Sequence, residues 1–298
     1  MSEGRSGRAG MAVPSIGEAA GAPPGGASVG AALRDAAARL HASSDTPRLD
    51  AELLLAEALG AGRERLILDR DRLLDGRQVE RLNELLARRA AREPIAYILS
   101  RREFRYLALA VDRRVLIPRP ETELLVEAGL ELARGASVLD IGTGSGAVAL
   151  ALKHERPDLD VAGVDSSPDA IAVARANARR LSLDVSFSVG DLLGDAHPDA
   201  ILANLPYVPD GAELIGDVAR YEPARALRGG ADGLDPIRRL TGMIAARPPA
   251  GRPALLALEI GADQGSAVAA LVAAAGYATV HVQTDLAGLD RLVLGSAR

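Results

Sequence analysis

The chain has no cysteine and no tryptophan, and its 298 residues include only two phenylalanines and five tyrosines. Without cysteine there are no disulfides, no thiolate metal sites and no cysteine nucleophile. That fits a reducing compartment, and the cytoplasm is the expected location. With so few aromatics, Leu, Val, Ile and Ala must fill the core, and the 48% of apolar residues allows a large one. Lys153 is the only lysine; every other basic side chain is an arginine. Net charge is −5, so no global basic field draws nucleic acid, and no direct nucleic-acid binding is expected. The four histidines (His41, His154, His197 and His281) stand apart with no ligand spacing, so no metal site is expected. No apolar run approaches the ~20 residues that span a bilayer.

Residues 1–27 are rich in Gly, Ala, Pro and Ser and lack the apolar stretch of a secretory signal. They read as a disordered tail, with Met11 an alternative start. Residues 28–93 read as a small helical unit. Ser28 is placed to cap a first helix and Asp45 a second, which has Pro47 in its first turn and Gly60 at its end. Val79, Leu82, Leu85 and Leu86 recur at helical spacing in a third. Between Arg77 and Arg105 eight arginines face four glutamates. They read as a solvated helix face laced with ion pairs, or as a docking face for an acidic partner. Residues 94–117 alternate short apolar stretches and read as a β-hairpin linker. From 118 to 298 strand and helix patterns alternate, which implies an α/β domain with a mostly parallel, doubly wound sheet. The close succession of the last two strand patterns suggests one antiparallel edge strand.

"VLDIGTGSGAVAL" sets Gly142, Gly144 and Gly146, interleaved with Thr143 and Ser145, between a strand and its helix. Glycines there let the backbone turn tightly and approach a ligand at the helix N-terminus. The pattern also satisfies the dinucleotide fingerprint, so a nicotinamide dehydrogenase survives this motif alone. Three acids favour S-adenosylmethionine. Asp140 can meet the cationic amino-acid end of that ligand. Asp165 ends the second strand and can accept both ribose hydroxyls. Asp191 ends the third and can receive the adenine amino group, with Leu192 packing on the ring. Each acid alone is an ordinary cap or turn residue; their spacing over three successive strand ends is the specific signal.

The fourth strand ends in "NLPY", Asn204 to Tyr207. An amide and a backbone carbonyl there offer two acceptors for an NH₂ group. Holding both N–H bonds orients a delocalised amide nitrogen for attack on a methyl group. Tyr207 can stack on the planar group being methylated, and Pro206 stiffens the turn. Asn204, Leu205, Pro206 and Tyr207 are therefore the candidate catalytic and substrate-binding residues.

At these residues the chain resembles the bacterial release factor glutamine N5-methyltransferases. The resemblance spans about residues 28–298 and is carried by "REPIAYIL", "VLIPRPETELLVE", "VLDIGTGSGAVALAL", "NLPY" and "YEPARAL". It implies a small all-α N-terminal domain, a hairpin linker and a seven-stranded, Rossmann-like methyltransferase sheet. It implies methyl transfer from S-adenosylmethionine, leaving S-adenosylhomocysteine, to the glutamine of a Gly-Gly-Gln motif in class 1 peptide chain release factors. The helical domain would recognise that partner, and the enzyme is expected to be a monomer. Gly142 to Gly146, Asp165 and Leu192 would bind the donor, and Asn204 would sit at donor and substrate together. The family usually has Asn-Pro-Pro-Tyr where this chain has Leu205; the backbone carbonyl is present in both. Exocyclic-amine methyltransferases acting on adenine N6 or cytosine N4 are the runner-up, although no separate recognition domain is visible. A non-catalytic release factor binder is a further alternative, opposed by the intact glycine loop and Asn204.

Overall fold

The computed structural model describes residues 26–214 and 216–297. The chain falls into two compact units, one ending at Leu99 and one beginning at Ser100.

The first unit is helical: α1 (Val29–Leu40), α2 (Pro47–Leu59), α3 (Arg65–Leu68), α4 (Gly76–Ala90) and α5 (Ile95–Ile98). Ser28 Oγ caps α1 by accepting the Ala31 N–H at 3.3 Å. Residues 1–25 of the expected tail lie outside the described residues. At Ala27 the expectation fails, because its carbonyl accepts the Leu74 N–H at 3.0 Å. Asp45 does not cap α2; Thr46 holds that position without a side-chain bond, Pro47 follows, and left-handed Gly60 ends the helix. Asp75 and Gln78 form a reciprocal capping box on α4. Its Leu82, Leu85 and Leu86 are fully buried against Leu54 and Leu55 of α2. One arginine of the stretch is internal rather than solvated: buried Arg89 reaches Asp50 at 2.7 Å. Half-exposed Arg88 pairs with Glu93 at 2.9 Å.

The expected hairpin over 94–117 starts later than its alternation suggested. Pro94 opens α5, and Ala96, Tyr97 and Ile98 are buried. The hairpin itself pairs β1 (Arg101–Phe104) with β2 (Leu107–Ala110) and opens the second unit. A short apolar run has no decisive period, and the proline settled it as a turn of helix.

A 3₁₀ turn (Pro120–Thr122) leads into α6 (Glu123–Leu130). Then follow β3 (Ser137–Ile141), α7 (Ala147–Glu155), β4 (Asp160–Asp165), α8 (Pro168–Leu181), β5 (Ser186–Val189) and β6 (Ala200–Ala203). After α9 (Gly216–Tyr221) come α10 (Asp235–Ala245), β7 (Leu255–Glu259), α11 (Gly265–Ala274), β8 (Thr279–Thr284) and β9 (Asp290–Ser296). The sheet has seven strands in the order β5-β4-β3-β6-β7-β9-β8. β3 to β7 run parallel, and their side chains alternate between two cores. Val138 joins Leu125, Leu150 and Ile171 on one face; Leu139 joins Ile237, Leu240 and Val268 on the other.

The expectation of an antiparallel edge strand fails. The antiparallel strand is not the edge: β9 inserts between β7 and β8, antiparallel to both. Leu292 and Val293 of β9 are buried, whereas β8 alternates between exposed and half-buried. The more apolar strand takes the inner place because only there are both its faces covered. Strand order reverses between β3 and β6, the switch point at which open α/β sheets hold ligands.

Candidate active site

The loop after β3 depends on three left-handed glycines, with φ of +75° at Gly142, +56° at Gly144 and +83° at Gly146. A Cβ on Gly142 would lie 3.0 Å from the Asn204 carbonyl oxygen and 3.5 Å from Leu205 Cδ2. That glycine therefore lets the glycine loop and the end of β6 approach closely. Gly142 and Thr143 donate their N–H groups to the Val164 carbonyl at 2.9 and 3.1 Å, which ties the loop to β4.

The three acids take different positions. Asp165 accepts the Gly144 N–H on Oδ2 at 3.0 Å and the Ser167 N–H on Oδ1 at 2.9 Å. Each oxygen keeps a lone-pair direction for a ligand hydroxyl. Asp140 turns into its own loop, where Oδ2 accepts the Thr143 hydroxyl at 2.6 Å and the Ala149 N–H at 3.2 Å. Burial pushes its carboxyl up to about 7, against those two hydrogen bonds. Asp191 is exposed at the rim and pairs with Arg239 at 2.5 Å. Leu192 beside it is buried, in a left-handed conformation at φ +52°.

One cleft collects Asp140, Gly142 to Ser145, Asp165, Asp191 and Leu192, together with Asn204, Leu205 and Pro206. Gly146 and Tyr207 are not in its wall. Gly146 sits beneath, where a Cβ would meet Leu150, Phe187 and Ala174. Leu205 turns inward and joins the core between β6 and α10. Its side chain fills the space under Gly142.

Asn204 donates Nδ2–H to Thr122 Oγ1 at 3.1 Å. The Tyr207 hydroxyl is 3.4 Å from Glu259 Oε1 at the end of β7. Burial and the Glu259 charge push that hydroxyl up to about 12, so it stays a proton donor. Gln264 Nε2 donates to the Tyr207 carbonyl at 3.0 Å, and Gly233 leaves room for that carbonyl. Glu222 of "YEPARAL" is buried. It accepts the Ile117 N–H at 3.1 Å and pairs with Arg119 at 2.5 Å, joining that motif to "VLIPRPETE".

Thr122 and Glu259 were not singled out from sequence. Glu259 had a readable signal, a lone carboxylate ending an apolar strand as Asn204 ends its own. Thr122 had none, because its partner lies 82 residues away.

Family profiles described as the PrmC N-terminal domain and the methyltransferase small domain match residues 31–99 and 120–220. A release factor glutamine methyltransferase from Rhodospirillum rubrum is 42% identical over 266 residues, covering 86% of this chain and 81% of that protein. One from Moorella thermoacetica is 43% identical over 280 residues, covering 90% and 98%. Among solved structures, the hMettl16 catalytic domain in complex with a MAT2A 3'UTR hairpin has a TM-score of 0.54 and 14% identity. It covers 72% of this chain and 82% of that one, a likeness of fold alone. Identity above two-fifths along nearly the whole length of such relatives admits one conclusion: this chain belongs to the release factor glutamine methyltransferase family.

Proposed function

We propose that this chain transfers a methyl group from S-adenosylmethionine to the side-chain amide nitrogen of the glutamine in the Gly-Gly-Gln motif of class 1 release factors. The observation that supports the reading is the close approach of the glycine loop to the end of β6 at the switch point of the sheet, where a Cβ on Gly142 would lie 3.0 Å from the Asn204 carbonyl oxygen.

The residues present suit the donor. Asp165 has free acceptor directions for ribose hydroxyls, the glycines leave the loop open, and Leu192 gives an apolar surface for a base. Asp191 is already paired with Arg239, so an adenine amino group would share it or displace the arginine. When bound, S-adenosylmethionine supplies an electrophilic methyl group on a sulfonium. The chain's part is to hold and orient. Asn204 Oδ1 and the Leu205 carbonyl accept the two N–H bonds of the glutamine amide, which favours tetrahedral geometry at nitrogen. Tyr207, which is not in the cleft wall, would stack on the flat side of the amide only once the glutamine reaches past Pro206. The methylated nitrogen sheds its proton to water without a dedicated base. Within this reading the helical unit recognises the release factor, and the unit from Ser100 onward holds donor and glutamine.

Incubation with labelled donor, purified release factor and, in parallel, DNA tests the proposal. Label should enter the Gly-Gly-Gln peptide of the release factor and leave DNA blank. Label on DNA, or none on release factor, overturns it.

A further inference from the structure

Asn177 lies within α8 and is fully buried. A buried amide is costly unless both its ends are satisfied, and here every hydrogen-bonding position of the side chain is used. Oδ1 accepts the Ala110 N–H at 2.8 Å and Arg180 Nη2 at 3.1 Å. Nδ2 donates to the Ala110 carbonyl at 3.0 Å and to the Ser145 carbonyl at 2.9 Å. The two ends cannot be exchanged. A turned amide would set its NH₂ against the Ala110 N–H and its oxygen against two carbonyls.

The backbone partners of this amide lead to different walls of the cleft. Ala110 ends β2. The next N–H, of Val111, turns to the Ser100 carbonyl at 3.4 Å, so the N–H and carbonyl of Ala110 face away from β1. There Asn177 meets both, as a neighbouring strand would. From Ala110 the chain runs on into Arg114, Val115, Leu116 and Pro118, which line the cleft. Ser145 lines it from the glycine loop, between left-handed Gly144 and Gly146. In an ordinary first turn of a helix the Ser145 carbonyl would accept the Ala149 N–H. Asp140 Oδ2 takes that N–H instead, at 3.2 Å, and the carbonyl is left to Asn177.

We propose that Asn177 is a positioning residue for the methyl donor: its amide pins the glycine loop at Ser145 to the start of the other wall at Ala110, and so holds the donor cleft preformed. The assignment rests on the donor reading above and goes beyond it, because Asn177 is not itself in the cleft wall. The loop is thus held at Gly144 by Asp165, a group that also faces the ligand, and at Ser145 by one that does not. A preformed loop spares the donor the cost of ordering it. Loss of Asn177 therefore weakens donor binding and leaves the clamp at Asn204 in place.

Calorimetry with S-adenosylhomocysteine tests this on the full-length parent, Asn177→Leu and Val272→Ala. Leucine keeps the bulk and removes every hydrogen bond. Val272 is fully buried on α11 and absent from the cleft wall, so its truncation reports lost stability alone. Both variants should melt below the parent. Well below either melt, Asn177→Leu should bind S-adenosylhomocysteine about tenfold more weakly, and Val272→Ala within about twofold of the parent. At saturating donor, single-turnover transfer by Asn177→Leu should stay within about threefold of the parent. Parent-like affinity in Asn177→Leu, equal weakening in Val272→Ala, or a larger loss of rate at saturation overturns the proposal. If Asn177→Leu does not fold, hydrogen exchange on the parent decides. S-adenosylhomocysteine should slow the Ala110 N–H about tenfold, and the amides of β8, none of which lines the cleft, by less than about twofold. Equal slowing at both, or none at Ala110, overturns the proposal. A parent that binds no S-adenosylhomocysteine overturns the donor reading and this proposal with it; parent-like binding by Asn177→Leu overturns the proposal and leaves the donor reading standing.

Discussion

At the scale of single residues, the proposed reaction divides the work between Asn204 and Asp165. Asn204→Ala removes one acceptor from the clamp and frees Thr122 Oγ1. Transfer should fall ~10²–10³-fold, about 3–4 kcal/mol, as when one preorganised hydrogen bond is removed. Donor affinity should fall much less. Single-turnover rates against calorimetry with S-adenosylhomocysteine separate the two, and a variant at the parent rate would reduce Asn204 to a strand terminator. Asp165→Ala should weaken donor binding by roughly 1.5–3 kcal/mol, the range for charged hydrogen bonds. Part of that loss is indirect, because Asp165 also holds the N–H groups of Gly144 and Ser167. Asp165→Asn keeps one of the two acceptor oxygens that hold the loop and should lose less than alanine; equal losses in the two variants would mean that the remaining oxygen holds neither loop nor ligand.

At the scale of the element, the turn after β3 separates conformational need from spatial need. Gly144 is left-handed with nothing but a distant Gly142 carbonyl near its absent side chain. Alanine there should cost about 1 kcal/mol of stability, from backbone strain. Gly142 is equally left-handed, and a Cβ there would in addition lie 3.0 Å from the Asn204 carbonyl oxygen. Alanine at Gly142 should cost more stability and should also slow transfer, because it pushes the clamp away from the donor loop. Thermal melts with transfer assays on both variants check this; equal effects would mean that the contact carries nothing beyond strain. Leu205 belongs to the same element. Its side chain, buried under Gly142, supports the loop from below, where a proline ring would fill less of the space.

For the whole molecule, the two buried carboxyls set a stability gradient. Asp140 and Glu259 are both raised to about 7 by burial. Their protonated forms favour the folded state, so the stability they lend is full below the ordinary carboxylate range and is lost as pH rises through about 7. The depressed carboxylates Asp112, Asp199 and Asp285, held down by hydrogen bonds from Arg114, Ser137 and Arg291, act oppositely. Their contribution is lost as pH falls below about 4, outside that window. Denaturant midpoints should therefore decline from about pH 5 to 8, and Glu259→Gln should flatten the decline. An unchanged slope in the variant would locate the gradient elsewhere. A fragment starting at Ser100 should bind S-adenosylhomocysteine yet methylate intact release factor poorly. Full activity in that fragment would remove the recognition role of the helical unit.

The sequence by itself determined what depends on local order. Alternating strand and helix patterns imposed a parallel sheet, three spaced glycines imposed the loop, and Asp165, Leu192 and Asn204 fell at strand ends because strand length sets where each chain leaves the sheet. Tertiary structure decided what depends on strands meeting across the sheet. Only the insertion of β9 beside β7 gave the sheet its order, since a hairpin pattern is the same whichever strand faces inward. Only the adjacency of β6, β7 and the turn before α6 brought Asn204, Glu259 and Thr122 together, from positions 55 and 82 residues apart along the chain. Asp140 and Asp191 show the same divide: spacing put both at strand ends, but burial turned one into its loop and Arg239 drew the other to the rim. Spacing encodes where a side chain leaves the backbone; the field and the neighbours that fix its partner exist only once distant segments have packed.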